Sequence, residues 1–443
     1  MRNKVIAVAS SVGLAVGLLS GTAAASSPLT GESDWESVRE STMTGKALAE
    51  PPARRLTYGD VLKRTYQNSY VADSEDYKPG SPIKHQFNDD PSARSVNAIS
   101  NLDECAGTII GNPYEGYLKD RFSFCSNWDG KLDYKRDGKV VGGWTYSAIF
   151  VGSGFNGARK IEYQIRLDRI SSWGVLPPEG VNPTLGFRIE CYAMTTDKAC
   201  NSKSQLSVSK TMAEWAISTH GQMNIQSDWG DGVGPDNVNF VGWELYDFTN
   251  LTPEENLDVS MSARFDSASY LPTKQGAVFP GVMPHILYKT SDAEVNETAE
   301  HIKTACDTPN LTVPTLQIPK VIPGCRDEEK KPIHRLFHDL DRRKKNRAES
   351  VRTCEAKWGD YPASGKDCDE FPFATTYEGS MLPDYDPKAT PGMYSVRALT
   401  SSDNQKAGTR LGVWYGQDRI IDGLLPIDGK VLYQEPFRVW IQS

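Results

Sequence analysis

Residues 366–379 read Lys-Asp-Cys-Asp-Glu-Phe-Pro-Phe-Ala-Thr-Thr-Tyr-Glu-Gly, and three of their carboxylates, Asp369, Glu370 and Glu378, flank the apolar patch Phe371-Pro372-Phe373. A carboxylate held against aromatic rings loses hydration and needs a cation or a proton in compensation. A divalent metal is the usual answer, and activation of a water molecule is the chemistry such a cluster would serve. Neighbouring strand residues point to opposite faces, so only one of Asp369 and Glu370 is expected to enter a shared site.

A second kind of chemistry lies just upstream. Between Lys331 and Lys357 nine basic residues stand against four acids, a local charge of +5 on a chain whose formal net charge is -8. The whole-chain charge argues against a general nucleic-acid binder, whereas a basic segment on an acidic protein locates the footprint of a polyanion. The segment reads as a helix with a thin apolar stripe, Leu336, Leu340, Ala348 and Val351, turned inward and the arginines and lysines turned out. Further on, Ala407, Leu411 and Trp414 share one face of a second helix, with Ser401, Ser402 or Asp403 as its cap and Asn404 in its first turn. Phe437, Val439 and Ile441 alternate in a closing strand.

These elements belong to a chain of 443 residues, more than one core usually supports, so two domains are expected. Met1-Arg2-Asn3-Lys4, the apolar run Val5 to Leu19 and Ala23-Ala24-Ala25 read as a signal peptide, residues 1–25, too short to span a membrane. No later stretch is long and apolar enough to cross a bilayer, so the mature protein is expected to be secreted and extracellular, with no membrane partner. All eight cysteines lie beyond the signal, and an even number in an exported chain suggests disulfides. Loop closure favours neighbours, which predicts Cys105–Cys125, Cys191–Cys200, Cys306–Cys325 and Cys354–Cys368.

Residues 26–101 are polar, acidic and proline-dotted, a loosely ordered lead-in with one short helix around Asp60 to Tyr66. Over residues 102–294 the dominant signal is a two-residue period: Ile161, Tyr163, Ile165 and Leu167 alternate with charged or polar residues, as do Leu185, Phe187, Ile189 and Cys191, and again Leu257, Val259, Met261, Ala263 and Phe265. Trp144 to Val151 and Val241 to Phe248 are apolar enough for burial on both faces. The pattern predicts an all-β antiparallel sandwich. Its loop Asp228 to Asn237 has ligands suited to calcium, but the spacing is not that of an EF-hand and such clusters form turns anyway. His220 and His285 have no partner at ligand spacing. Residues 295–330, with Pro309, Pro314, Pro319 and Pro323, are expected to be a proline-rich linker clipped by Cys306–Cys325.

Cys368 to Gly379, followed by Asp403-Asn404 with Ala407-Gly408 and by Arg419-Ile420-Ile421-Asp422-Gly423, resembles the NucA/NucB family of secreted bacterial deoxyribonucleases. Cysteine before Asp-Glu is similar to the actinobacterial branch. The resemblance covers Pro332 to Ile441, about a quarter of the chain, and does not reach the sandwich. It has two departures: Leu424 to Glu435 is an insertion expected to reshape the substrate groove, and Ser380 replaces a more usual Gly or Ala.

The resemblance implies a multidomain protein in which a small α+β nuclease domain, residues 331–443, follows the sandwich and cleaves DNA endonucleolytically with a divalent metal, Mg, Mn or Ca. Asp369 and Glu378 are then the expected metal ligands and, with Glu370 and His334, the catalytic set, an imidazole being a suitable general base near neutral pH. Arg335, Arg347 and Asn404 are expected to bind substrate, an arginine gripping a phosphate in two-pronged fashion; His338, Asp339 and Asp341 are of second rank. Recognition through phosphates predicts salt-sensitive binding with little base selectivity. Two other classes stay open: a non-enzymatic secreted binding protein with a degenerate nuclease domain, and an antibacterial DNase toxin, which would need an inhibitor protein as partner. The sandwich would be an anchoring module, an inhibitory pro-region or a folding aid.

Overall fold

A computed structural model describes residues 35–40, 102–106, 117–136, 139–176, 183–250, 254–327, 330–427 and 430–443. The signal expected over 1–25, and the lead-in apart from strand Trp35–Glu40, lie outside the described residues.

Alternation builds the first domain: Ile161, Tyr163, Ile165, Leu167, Phe187 and Ile189 are all fully buried. Ser123–Arg136, Lys139–Asn156 and Lys160–Gly174 pair in succession, and Gly276–Val278 joins Lys139–Asn156 to Glu255–Asp266, Asn239–Thr249, Thr184–Ala193 and Ser207–Thr211. The expected antiparallel pairing is present, but the two sheets of a sandwich are one continuous eleven-stranded sheet. The eighteen-residue strand Lys139–Asn156 is long enough to serve both halves, and a bridge between Gln205 and Asn224 brings the far ends together, so the sheet rolls nearly closed. Aromatic rings fill it. Phe150 stacks on Tyr163 at 5.3 Å, and Trp243 meets Phe124, Phe150 and Tyr163 edge-on. A short helix α1 (102–106) carries Leu102 and Cys105 onto the outer face of Ile149 and Val151, and helix α2 (Met212–Ile217) is started by a capping box between Thr211 and Glu214. In the loop 228–237, carbonyls that a calcium ion would use are taken by Arg159, which donates to Asp231 O at 2.5 Å and Asn237 O at 2.8 Å.

The C-terminal domain is built around Pro436–Gln442, the central strand of a three-stranded sheet, parallel to His285–Lys289 and antiparallel to Ile333–His334. Burial beside Arg438 lowers the pKa of His285 to about 4, so that ring is neutral at physiological pH. Residues 295–330, expected as a linker, hold helix α3 (Asn296–Asp307), whose Ala299, Ile302 and Ala305 enter the same core as Phe371, Trp414 and Phe437. The prolines that disfavour helix all come after α3 ends. Helices α4 (Leu340–Trp358) and α5 (Ser401–Gln417) complete the domain. Asp403 does not cap its own helix. It accepts from Glu297 N at 2.9 Å and Thr298 N at 3.0 Å at the start of α3, while Glu297 accepts from Thr400 N at 2.9 Å at the start of α5. Each helix thus satisfies the other's exposed N–H groups with a carboxylate, where the helix dipole favours negative charge.

The inward face of α4 also differs from expectation. Leu340 is 55% exposed, and the buried positions are Arg342, Asn346, Ser350 and Cys354, one per turn. Each has a bonded partner: Arg342 donates to Tyr377 O, Asn346 donates to Ala374 O and Thr376 O and accepts from Met381 N, and Cys354 is joined to Cys368. A polar stripe docks this helix because the loop beneath it presents carbonyls, not side chains. Ser380, the departure from Gly or Ala, donates to Asn346 O at 2.8 Å. All four disulfides join the cysteines expected from loop closure.

The two domains share a buried charge network. Arg419, in the left-handed region at φ 52°, donates to Asp266 at 2.6 and 2.7 Å; Arg264 reaches both Asp266 and Glu435, and Arg121 reaches Glu435. Burial alone would raise the pKa of Asp266, but Arg419 and Arg264 outweigh it and hold the carboxyl below its usual range. Only glycine fits at 276, where a Cβ would lie 2.2 Å from Arg419 Nε. The insertion 424–435 contributes Leu425 to a cluster with Val238, Phe240, Ala268, Leu271 and Ile421, and ends at Glu435, so it forms part of the domain interface. Replacing Asp266 by Ala strands the buried Arg419 guanidinium and removes one of the two carboxylate partners of Arg264; the variant is expected to lose about 3–5 kcal/mol in urea denaturation of the full chain. Wild-type stability would contradict this account of the interface.

Candidate active site

His334 and Glu378 are held in direct contact. Glu378 Oε1 lies 2.7 Å from His334 Nδ1, and Oε2 accepts from the His334 backbone N–H at 2.8 Å. Two bonds from one carboxylate fix the ring's rotation and favour a proton on Nδ1, leaving Nε2 as the basic nitrogen. Both side chains are largely shielded, 10% and 13% exposed. Local structure holds them in place: Ile333 is buried in the core, Tyr377 N donates to His334 O at 3.0 Å, and Gly423 approaches so closely that a Cβ would lie 2.6 Å from His334 Cβ. Asp422 ties the surrounding turns together, accepting from Phe337 N, His338 N, Leu424 N and the Tyr377 hydroxyl at 2.7–3.0 Å.

Beside this pair stands Arg335. Its guanidinium lies over the rings of Tyr415, Tyr270 and Phe337 at 4.3, 5.0 and 5.3 Å, and Nη1 donates to Ile420 O at 2.5 Å. Burial pushes its pKa down, partly offset by Tyr415 and Tyr270. Burial likewise raises the Tyr415 phenol to about 12, opposed by its hydrogen bond with Thr375 and by Arg335 and Arg343, while Glu378 adds to the rise, so these charges share one neighbourhood.

The adjacent acids Asp369 and Glu370 turn to opposite sides of strand Lys366–Phe371. Asp369 Oδ2 lies 2.6 Å from His301 Nδ1 on α3, and His301 Nε2 lies 2.7 Å from Ser395 Oγ, all three residues being buried. Glu370 faces α4, with Arg347 Nη1 at 3.3 Å and a hydrogen bond to Ser350. Arg347 also donates to Cys368 O at 2.6 Å. Asn404 is half-buried in the first turn of α5, with no hydrogen bond among the described residues. His338 Nε2 lies 3.0 Å from Asp236 Oδ1 across the domain interface, Asp339 caps α4 by accepting from Arg342 N, and Asp341 is exposed. The structure therefore brings His334 into contact with Glu378, and Arg347 with Glu370, while no hydrogen bond or ion pair joins Asp369 to Glu378. Among the described residues, no group of three or more His, Cys, Asp or Glu side chains is placed to hold a metal ion.

Residues 334–424 match the deoxyribonuclease NucA/NucB family. A NucA/NucB region points to a deoxyribonuclease acting on DNA. No curated protein and no solved structure matches the chain.

Several residues that shape the NucA/NucB region escape motif reading. His301 precedes the matched segment and stands 68 positions from Asp369, and Tyr270 belongs to the sheet domain. Asp422 lies within a recognisable run, but its carboxylate serves backbone N–H groups that no sequence spacing marks. Burial, opposed by Arg347 and Ser350, raises the Glu370 carboxyl to about 7. The folded chain thus holds this proton more tightly than the unfolded chain, where a glutamate titrates near ~4.3. Stability from this group is full below that value, falls as pH rises towards 7, and is flat above. Glu370→Gln is expected to melt with the wild type at pH near ~4.5 and above it at pH ~8; a pH-independent difference in melting temperature would refute the assignment.

Proposed function

We propose that the C-terminal domain hydrolyses DNA phosphodiester bonds with His334 as general base and Glu378 as the group that orients it. The paired contacts of Glu378 with the His334 ring and backbone carry this reading. In this mechanism His334 Nε2 takes a proton from the attacking water, and the imidazolium that forms is stabilised by Glu378. Arg335, with Arg343 nearby, grips the substrate phosphate through its non-bridging oxygens. Phosphate recognition by arginine carries no base information, so cleavage with little sequence specificity follows, as does a fall in binding with salt. Export, the remaining part of this reading, is supported by the sequence of residues 1–25 and by four disulfides, and among the described residues no helix is long and apolar enough to cross a membrane.

Asp369 and Glu378, the expected metal ligands, are each engaged by a histidine, so the residues present do not form a ready metal set and no step is drawn through a metal. Magnesium commonly binds through one or two carboxylates together with substrate phosphate. Metal dependence therefore remains a proposal for assay: EDTA is expected to abolish cleavage of a DNA duplex and excess magnesium or manganese to restore it.

The same assay tests the pair. His334→Ala and Glu378→Gln in the full chain are each expected to lower kcat by roughly 10²- to 10⁴-fold, with folding retained by circular dichroism. Full activity in a folded His334→Ala variant would remove the general-base role. A fragment beginning at Lys331 is not a substitute, since it lacks strand His285–Lys289, α3 and the sheet domain's side of the interface.

A further inference from the structure

Arg335 is held in an unusual way for a structural arginine. Among the described residues no carboxylate contacts it, and its one hydrogen bond is Nη1 to Ile420 O, which leaves Nε and Nη2 as donors without a bonded partner there. A guanidinium fixed in orientation by aromatic rings, with donors left over and no carboxylate in contact, is prepared to grip two oxygens of an anion such as a phosphate. Of the three rings around it, Phe337 and Tyr415 come from the C-terminal domain, and Tyr270 comes from the sheet domain.

Tyr270 is fixed with care. Its ring stacks on Phe337 with centroids 3.6 Å apart and planes 16° from parallel. Its hydroxyl donates to Asp236 Oδ2 at 2.7 Å and accepts from Asp422 N at 2.7 Å, the residue that also orders Phe337 and His338. Asp236 in turn reaches His338. The ring therefore cannot leave Arg335 without breaking bonds to both domains.

Resting on the nuclease reading above, we propose that Tyr270 is a positioning residue for DNA binding: the sheet domain completes the phosphate-binding surface by holding Arg335, so affinity for DNA is a joint property of both domains. The sheet domain is then neither a detachable anchor nor a pro-region, because its removal takes away one wall of the site.

The test compares full-length wild type, Tyr270→Leu and Tyr270→Phe, reading kcat and KM on a DNA duplex and the Kd for a short fluorescent phosphorothioate duplex by anisotropy. Tyr270→Leu removes the aromatic face and is expected to raise KM and Kd about tenfold with kcat little changed. Tyr270→Phe keeps the face and loses the hydroxyl, so KM stays near wild type while the melting temperature falls. A folded Tyr270→Leu with wild-type KM and Kd, or with its loss confined to kcat, overturns the proposal, as does a Tyr270→Phe variant whose KM rises as far as that of the leucine variant. Should Tyr270→Leu not fold, Arg335→Lys, which keeps the charge without the planar face, decides the matter: a similar rise in KM supports the proposal and an unchanged KM overturns it. A wild-type chain that neither binds nor cleaves the duplex would instead sink the nuclease reading itself.

Discussion

The contact between Arg419 and Asp266 is where the two domains become one molecule. Both groups are completely buried, and three guanidiniums and two carboxylates meet there shielded from solvent. Charges removed from solvent are tolerable only when each finds its partner. A small shift of one domain on the other would leave an ion facing apolar side chains, so the network admits one docking arrangement. It also holds Arg419 in a left-handed backbone conformation, which costs on the order of 1–2 kcal/mol for a residue with a side chain. That cost is offset by the bidentate grip on Asp266.

The turn that begins at Arg419 then distributes this anchorage to the site. Arg419 points into the sheet domain, Ile420 offers its carbonyl to Arg335, Ile421 packs in the shared apolar cluster, and Asp422 gathers the backbone of Phe337 and His338. Gly423 leaves room for His334 and donates its N–H to Arg335 O. Five consecutive residues thus serve the interface and the candidate base at once. A disturbance on the sheet side reaches the groups that would meet a phosphate through few contacts, from Asp266 by way of Arg419 and Ile420 and from Tyr270 directly at Arg335.

Much of this was legible in the sequence, and the limits have physical causes. Strand alternation at Ile161 to Leu167 reported burial faithfully because a half-buried strand has a period of two, and the disulfides followed from short loops. Closure of the sheet could not be read, since it depends on the length over which Lys139–Asn156 serves two neighbours. Helix α3 was hidden by the prolines that follow it, and the inward face of α4 by its polarity: Arg342 and Asn346 look like surface residues until the carbonyls they meet are in view. In the candidate site, the local sequence pointed to His334, Arg335 and Glu378, but the partnership of His334 with Glu378 spans 44 residues and that of Asp369 with His301 spans 68. Carboxylates beside aromatic rings do require a cation or a hydrogen-bond donor; for Asp369 and Glu378 the nearest one is a histidine.

The strand Pro436–Gln442 adds a constraint of a different kind. It comes later in the sequence than every other element of its domain, yet it is the middle strand, holding His285–Lys289 on one side and Ile333–His334 on the other. The sheet that carries the candidate base therefore gains its centre only when this strand docks between two strands that precede it in the sequence. Until those residues arrive, His334 has no strand partner and the sheet has no centre.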